Sequence, residues 1–306
     1  MIQDRRAIIV HGGAGAFPVD DIEKHALEEG CMEAASMGWR ILGRRGSAQT
    51  VAVKVIKLME DNNAFNAGTG AYLNEHGVPE FDAGIVSVEN GKLRIGGVGA
   101  LPATTRNPIL LAEILLDEPE NLLVGLEAER FARTRNIPAC RPEELIVPRT
   151  RQIHEESRRQ SLNGIPMSDT VGCVVLDRRG NMCAAGSTGG FPGKRAGRVG
   201  DVPQFLHGFG GNSYGVACAT GQGEAIMRVA LCSRALTRLP RSHPTRAAVL
   251  AIADLQRLTD EGEAGIIVLD HEGHIGCAHN TRYMSVASYS TLEGETTNAC
   301  RNALPA

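Results

Sequence analysis

Apolar positions along the chain fall into blocks whose spacing switches between strand and helix periods. Ala7–His11 is a short apolar run that stops in a glycine loop, which predicts a buried strand. Between Asp20 and Leu42 the residues Leu27, Cys31, Ala34, Ala35 and Ile41 recur at helical spacing, and Gln49–Glu60 does the same through Val51, Val55, Ile56 and Met59. Phe81–Val88 and Lys92–Gly97 read as two strands around Glu89-Asn-Gly91, where Asn-Gly marks a tight hairpin. Helices are expected over Pro108–Leu116 and Leu122–Arg135. Arg149–Gln160 then breaks the pattern. It is polar almost all round, which predicts a solvated, mobile arm over about 149–169.

After the arm the pattern resets. Val171–Leu176 and Met182–Ser187 read as a hairpin turning at Arg178-Arg-Gly-Asn181, and Val216–Thr220 as a strand running into a helix from Gly223 to about Arg238. Pro244–Leu258 is a helix with proline in its first turn. Ile266–Leu269, Ile275–His279 and Ser285–Ser288 supply the last strands. Strands and helices in blocks, without strict alternation, predict an α+β fold of mostly antiparallel sheets covered by helices.

The most telling stretch is Ser168-Asp-Thr-Val-Gly-Cys-Val-Val-Leu-Asp177, which sets Thr170 at the head of a buried strand, directly behind the arm. Taken singly, such a threonine is an ordinary strand former. Cleavage between Asp169 and Thr170 would give it a free α-amino group beside its own hydroxyl. That amine titrates at about 7.7–8.0, so a useful fraction is unprotonated near neutral pH. Nucleophile and general base would then share one residue.

Downstream come Ser187-Thr-Gly-Gly190, Gly197-Arg-Val-Gly-Asp201 and Thr220-Gly-Gln-Gly-Glu224; upstream stand Val10-His-Gly-Gly-Ala-Gly15 and, before Asp82-Ala83, Phe65-Asn-Ala-Gly-Thr-Gly70. In order and spacing these strings resemble the plant-type asparaginase/isoaspartyl peptidase family, Ntn-hydrolases of the threonine type, over nearly the whole chain. The resemblance implies a four-layer αββα sandwich assembled from two fragments, an α fragment 1–169 and a β fragment 170–306 that begins with the nucleophile, together forming one composite domain. It implies self-cleavage before Thr170, a second catalytic threonine at Thr188, and an oxyanion hole from Thr220 and Gly221, with Asn66 positioning the oxyanion threonine. Gly12 and Gly13 would line the site by backbone. No catalytic cofactor is implied. A structural Na⁺ would be held by the backbone of Leu58, Glu60, Phe65, Ala67 and Thr69.

Arg198 and Asp201 carry the substrate argument. A guanidinium can fork onto an α-carboxylate while a carboxylate takes the ammonium on the same carbon, and both charges stand on one short turn. Gly223 keeps the approach to that head group clear. The expected reaction is cleavage of the side-chain amide of L-asparagine or of β-aspartyl dipeptides through a β-aspartyl-threonine intermediate. The sequence departs from the family at Asp169, which resembles the glycosylasparaginases of the same superfamily, at Gln222, where histidine is common, and over Val202–Gly215. Beside the clamp, that last change is where specificity is expected to diverge.

Composition narrows the alternatives. Net charge is −3 with no sustained basic block, and aromatic residues make up 4% of the chain, so there is no case for a nucleic-acid or membrane partner. None of the glycine loops reads G-x-G-x-x-G opening a helix, and no G-x-x-x-x-G-K-[ST] occurs, which argues against a nucleotide-binding module. A catalytically silent binding protein is a third class, disfavoured because every expected catalytic residue is present. The eight cysteines form no C-x-x-C pair and are expected to be buried thiols. With no signal peptide and no long apolar span, a cytoplasmic protein is expected. The partners implied are a small-molecule substrate and a second copy, as a homodimer of αβ units.

Overall fold

The computed structural model describes residues 4–15, 20–159, 170–260, 262–297 and 300–302. Two sheets lie face to face, each covered outside by helices. The larger sheet has eight strands, β1 (Ala7–Gly15), β2 (Glu80–Glu89), β3 (Lys92–Pro102), β4 (Leu122–Val124), β5 (Val171–Leu176), β6 (Met182–Thr188), β11 (Tyr283–Ser290) and β12 (Gly294–Thr297). Their order is β12-β11-β1-β5-β6-β2-β3-β4, antiparallel throughout except β3–β4. The smaller sheet has β7 (Phe209–Asn212), β8 (Gly215–Gly221), β9 (Ala264–Asp270), β10 (Ile275–His279) and β13 (Arg301–Asn302), in the order β13-β10-β9-β8-β7, with only β10–β13 parallel.

Strand alternation divides the apolar residues into three layers. Val171, Cys173 and Val175 face outward with Ile85 and Cys183 onto α1 (Asp21–Gly43), α2 (Ala48–Asp61), α3 (Pro108–Leu115) and α4 (Gly125–Thr134). Val174, Leu176, Ala184 and Val86 face inward, meeting Val216, Cys218 and Ile267 of the smaller sheet. Ala217, Ala219 and Ile266 turn out beneath α6 (Gly223–Val229), α7 (Leu231–Leu236) and α8 (Pro244–Leu258). This is the four-layer αββα sandwich that the sequence implied.

Local chemistry explains most boundaries. Asp20 caps α1 through the Glu23 N–H at 2.8 Å, and Ser47 caps α2 through the Thr50 N–H at 3.2 Å. The β2–β3 hairpin pairs Glu89 with Lys92 across Asn90 and Gly91, whose φ values of 51° and 74° suit the mirror-image turn that matches strand twist.

Four expectations are corrected. The helix expected over Leu122–Arg135 is a short strand, Leu122–Val124, running beside Gly97–Gly99, before α4 begins at Gly125. The helix expected from Gly223 to Arg238 breaks at Ala230, which has φ 50°; the Arg234 side chain donates to the Val229 carbonyl at the break. The polar arm begins as a helix, α5 (Pro148–Arg159), with Thr150, His154 and Ser157 buried at helical spacing. Its inward face is built from small polar residues, which an apolar-pattern reading cannot see. Residues 160–169 of the expected arm, Asp169 among them, lie outside the described residues. Cys277 and Cys300 form a disulfide, because the parallel β10–β13 pairing of Ala278 with Arg301 brings them side by side. The other six cysteines are free thiols, five of them buried. Among the described residues no helix is long and apolar enough to cross a membrane.

The sheets approach most closely at glycines. A Cβ on Gly84 would stand 2.4 Å from both the Val202 carbonyl oxygen and the Phe209 ring. Gly84→Ala is therefore expected to destabilise the protein by about 1–3 kcal/mol in urea unfolding. Wild-type stability in that variant would mean that β2 and the 202–209 segment are not in contact.

Candidate active site

Four strands deliver polar side chains to one end of the space between the sheets. On β5 the inward positions are Val174, Gly172 and, just outside the strand, Thr170; on β6 they are Ala184, Gly186 and Thr188. The β5–β6 register pairs Val171 with Ser187, so one step outward sets Thr170 opposite Thr188. Both are buried. β2 pairs Asp82 with Thr188, and the Asp82 carboxylate accepts the Gly200 N–H at 2.8 Å, which draws in the loop bearing Arg198 and Asp201. On β8 the inward series Val216, Cys218, Thr220 crosses above, with Cys218 Sγ beside Gly172 and Gly186. A Cβ on Gly223 would lie 2.6 Å from Arg198 Nη2 and 2.8 Å from Asp201 Oδ1, so the Thr220–Glu224 turn closes over the two charges. The three threonines and the Arg198/Asp201 turn thus share one end of the sandwich.

Two polar atoms here lack partners. Among the described residues, Thr220 Oγ1 and Asp201 Oδ2 find no hydrogen-bond partner although both are buried. Leaving such an atom unsatisfied costs about 1–3 kcal/mol. Burial also pushes the Asp201 carboxyl up to about 7, against the pull of Arg198. Gly221 has φ 136°, and a Cβ there would stand 2.5 Å from Ala264 Cα and from the Glu263 carbonyl oxygen. That backbone, which carries the expected oxyanion N–H, admits only glycine.

The expected pairing of charges differs in one respect. Arg198 forks onto Glu224, with Nε and Nη2 donating to the two carboxylate oxygens at 3.0 and 2.9 Å, and its guanidinium lies 4.9 Å from the Phe191 ring centre. Glu224 ends the Thr220-Gly-Gln-Gly-Glu224 string, so its position was legible; a bidentate partner 26 residues from Arg198 was not. Gln222 directs its side chain to the Glu263 N–H at 3.4 Å.

Asn66 lies in the loop after α2. Its Oδ1 accepts the Tyr72 N–H at 2.7 Å and its Nδ2 donates to the Gly190 carbonyl at 2.6 Å, which braces the turn after Thr188. Gly12 and Gly13 occupy a bulge in β1 between His11 and Ala14. Gly12 faces Phe65 and Cys31, so its missing side chain serves packing beneath α1. His11 is fully buried against Gly172, and the Thr170 backbone beside it is the one group that favours its charged form. Burial lowers its pKa to about 3 and keeps the ring neutral.

In the loop expected to hold Na⁺, the Glu60 carbonyl accepts the Thr69 N–H at 2.7 Å. A Cβ on Gly68 would meet the Glu60 oxygen at 2.4 Å, and one on Gly70 the Phe65 oxygen at 2.9 Å.

Residues 4–298 match a protein-family model described as Asparaginase. The chain belongs to that family. It is 35% identical over 288 residues to the isoaspartyl peptidase/L-asparaginase of Danio rerio, covering 92% of this chain and 91% of that one. Against the human protein of the same name identity is 33% over 275 residues, covering 87% of each chain. The plant-type L-asparaginase of Pyrococcus horikoshii is 35% identical over 296 residues, covering 92% and 95%.

The Asp201 environment carries a stability cost with a defined pH sign. In the unfolded chain an aspartate is ionised above about pH 4, whereas the folded one holds its proton to about 7, so the folded state binds more protons in between and loses stability as pH rises through that window. Asp201→Asn should therefore gain about 4 kcal/mol at pH 8 and little at pH 4 in urea titrations. An equal gain at both pH values would contradict the assignment.

Proposed function

We propose that this member of the asparaginase family hydrolyses the side-chain amide of L-asparagine and of β-aspartyl dipeptides, releasing L-aspartate, with Thr170 as nucleophile after cleavage of the Asp169–Thr170 bond. One observation supports it above the rest. Among the described residues the buried Thr220 hydroxyl and Asp201 carboxylate oxygen have no hydrogen-bond partners, and they stand at the end of the sandwich where Thr170 meets Thr188. A buried polar group without a protein partner calls for one from outside the chain, and a substrate at this end would supply it. The names of the relatives agree with this reading.

In the uncut chain the Thr170 nitrogen is an amide and cannot serve as a base. Once freed, the amine takes the proton of the Thr170 hydroxyl as Oγ1 attacks the amide carbon. Negative charge gathers on the carbonyl oxygen, facing the Thr220 hydroxyl and the Gly221 N–H. The amine then passes the proton to the departing nitrogen, which leaves as ammonia or as an amino acid. A β-aspartyl ester on Thr170 remains, and water, deprotonated by the same amine, hydrolyses it. Thr188 sits opposite Thr170 and polarises the nucleophile.

Recognition uses the charges already in place. The substrate carboxylate takes the Arg198 fork that Glu224 occupies in the free protein, and the substrate ammonium takes Asp201. Carbonyls of Leu58, Glu60, Phe65, Ala67 and Thr69 would hold a structural Na⁺, which would stiffen the loop carrying Asn66. The family resemblance supports a dimer of two-fragment units.

The test is turnover of L-asparagine, a β-aspartyl dipeptide and glycosylated asparagine, with Thr220→Val alongside. Release of aspartate from the first two is expected, and Thr220→Val should lower kcat by about 10²–10³. Turnover of glycosylated asparagine alone would overturn the substrate assignment. Because only ionised Asp201 attracts the ammonium, KM should rise about tenfold per unit as pH falls below about 7. A KM that stays flat between pH 5.5 and 8 would contradict the role of Asp201.

A further inference from the structure

Helix α5, which leads toward the cleavage site, is fastened to the turn that carries Thr188. Its second residue, Arg149, lies with its guanidinium 5.6 Å from the centre of the buried Tyr72 ring, and Nη2 donates to the Gly70 and Ala64 carbonyls at 3.3 and 3.4 Å. Those three residues bracket the loop that holds Asn66. From there the contacts run inward without a gap. The Tyr72 N–H donates to Asn66 Oδ1, Asn66 Nδ2 donates to the Gly190 carbonyl, and the Asn66 carbonyl accepts the Gly189 N–H at 3.1 Å. The Gly190 N–H in turn donates to Thr188 Oγ1 at 3.0 Å. At Gly189 the fit leaves no slack: a Cβ there would stand 2.6 Å from Asn66 Oδ1 and 2.7 Å from the Ala71 side chain.

Phe65 and Tyr72 anchor the ends of the loop by burial, and Gly68 and Gly70 between them have no side chains to hold it. A planar guanidinium supplies what such a loop lacks, covering an aromatic face while bridging two carbonyls that backbone groups leave to it. Glu23 of α1 flanks the same guanidinium at 3.9 Å and adds little at that distance.

We propose that Arg149 is a positioning residue: by clamping the 64–72 loop from outside it fixes Asn66, and through Asn66 the Gly189-Gly190 turn and the Thr188 hydroxyl. The inference rests on the catalytic reading of Thr188 for its effect on rate, but not for its effect on the turn. The segment before the cleavage site is then part of the site's scaffold after cleavage as well as before it.

The test compares full-length Arg149→Leu, Arg149→Lys and Arg151→Gln, the last an exposed arginine on the same helix. Hydrogen exchange of the 187–191 segment is read together with kcat and KM for L-asparagine. In Arg149→Leu, exchange of that segment should rise by about tenfold, with kcat falling about tenfold and KM staying within about twofold. Arg149→Lys should recover part of both, since an ammonium reaches the carbonyls but does not lie flat on the ring. Arg151→Gln should match the wild type. Unchanged exchange at 187–191 in Arg149→Leu, or a rise spread evenly over the whole chain, would overturn the proposal. If the wild type turns over no asparagine, the functional reading fails, and the exchange at 187–191 still decides the role of Arg149.

Discussion

The structure depends on how closely its two sheets approach. Between them the seam is lined by side chains of minimal size at Gly84, Gly172 and Gly186, opposed by Phe209 and Cys218, while the ring of His11 from the neighbouring strand covers Gly172. A Cβ on Gly172 would stand 2.1 Å from the His11 ring and 2.6 Å from Cys218 Sγ. That closeness lets β8 lay its inward residues over β5 and β6, so that Thr220 and the turn after it reach the end of the sandwich where Thr170 and Thr188 emerge. Wider separation would leave the same residues on the same strands with nothing shared between them.

The same packing sets the energetics of the site. Among the described residues, Thr220 and Asp201 are buried with hydrogen-bonding atoms unused, against the general rule that buried polar groups are paired. Each costs stability. Proteins carry such costs where a ligand relieves them. Arg198 shows the opposite arrangement, since Glu224 satisfies its fork until a substrate carboxylate replaces it. One half of the proposed head-group clamp is thus held in reserve, and the other half is left open.

Much of this was legible in the chain. Strand alternation marked Val171–Leu176 and Met182–Ser187 as a hairpin, and Asn90-Gly91 marked the turn of the β2–β3 hairpin, because these signals are local. What escaped depends on distant partners. α5 buries threonine, histidine and serine, so its inward face looked like solvated surface until the loops at Gly77 and Gly193 covered it. Phe209–Asn212 becomes a strand only by pairing with β8, and Leu122–Val124 only by lying along the glycines of β3. At the site, the order of motifs named Thr170, Thr188, Thr220, Arg198 and Asp201, and the structure brings all five to one end. The fork between Arg198 and Glu224, the brace from Asn66 to Gly190 and the Arg149 clamp were hidden, because each joins segments that no periodicity connects.

The central claim is that Thr170 becomes a chain terminus and acts from there. Intact-mass measurement with N-terminal sequencing of the purified protein, beside Thr170→Ala, tests it most directly. The account predicts two fragments in the wild type, the second beginning at Thr170, and one whole chain in the variant. A wild-type chain that stays whole after long incubation yet hydrolyses asparagine would contradict it.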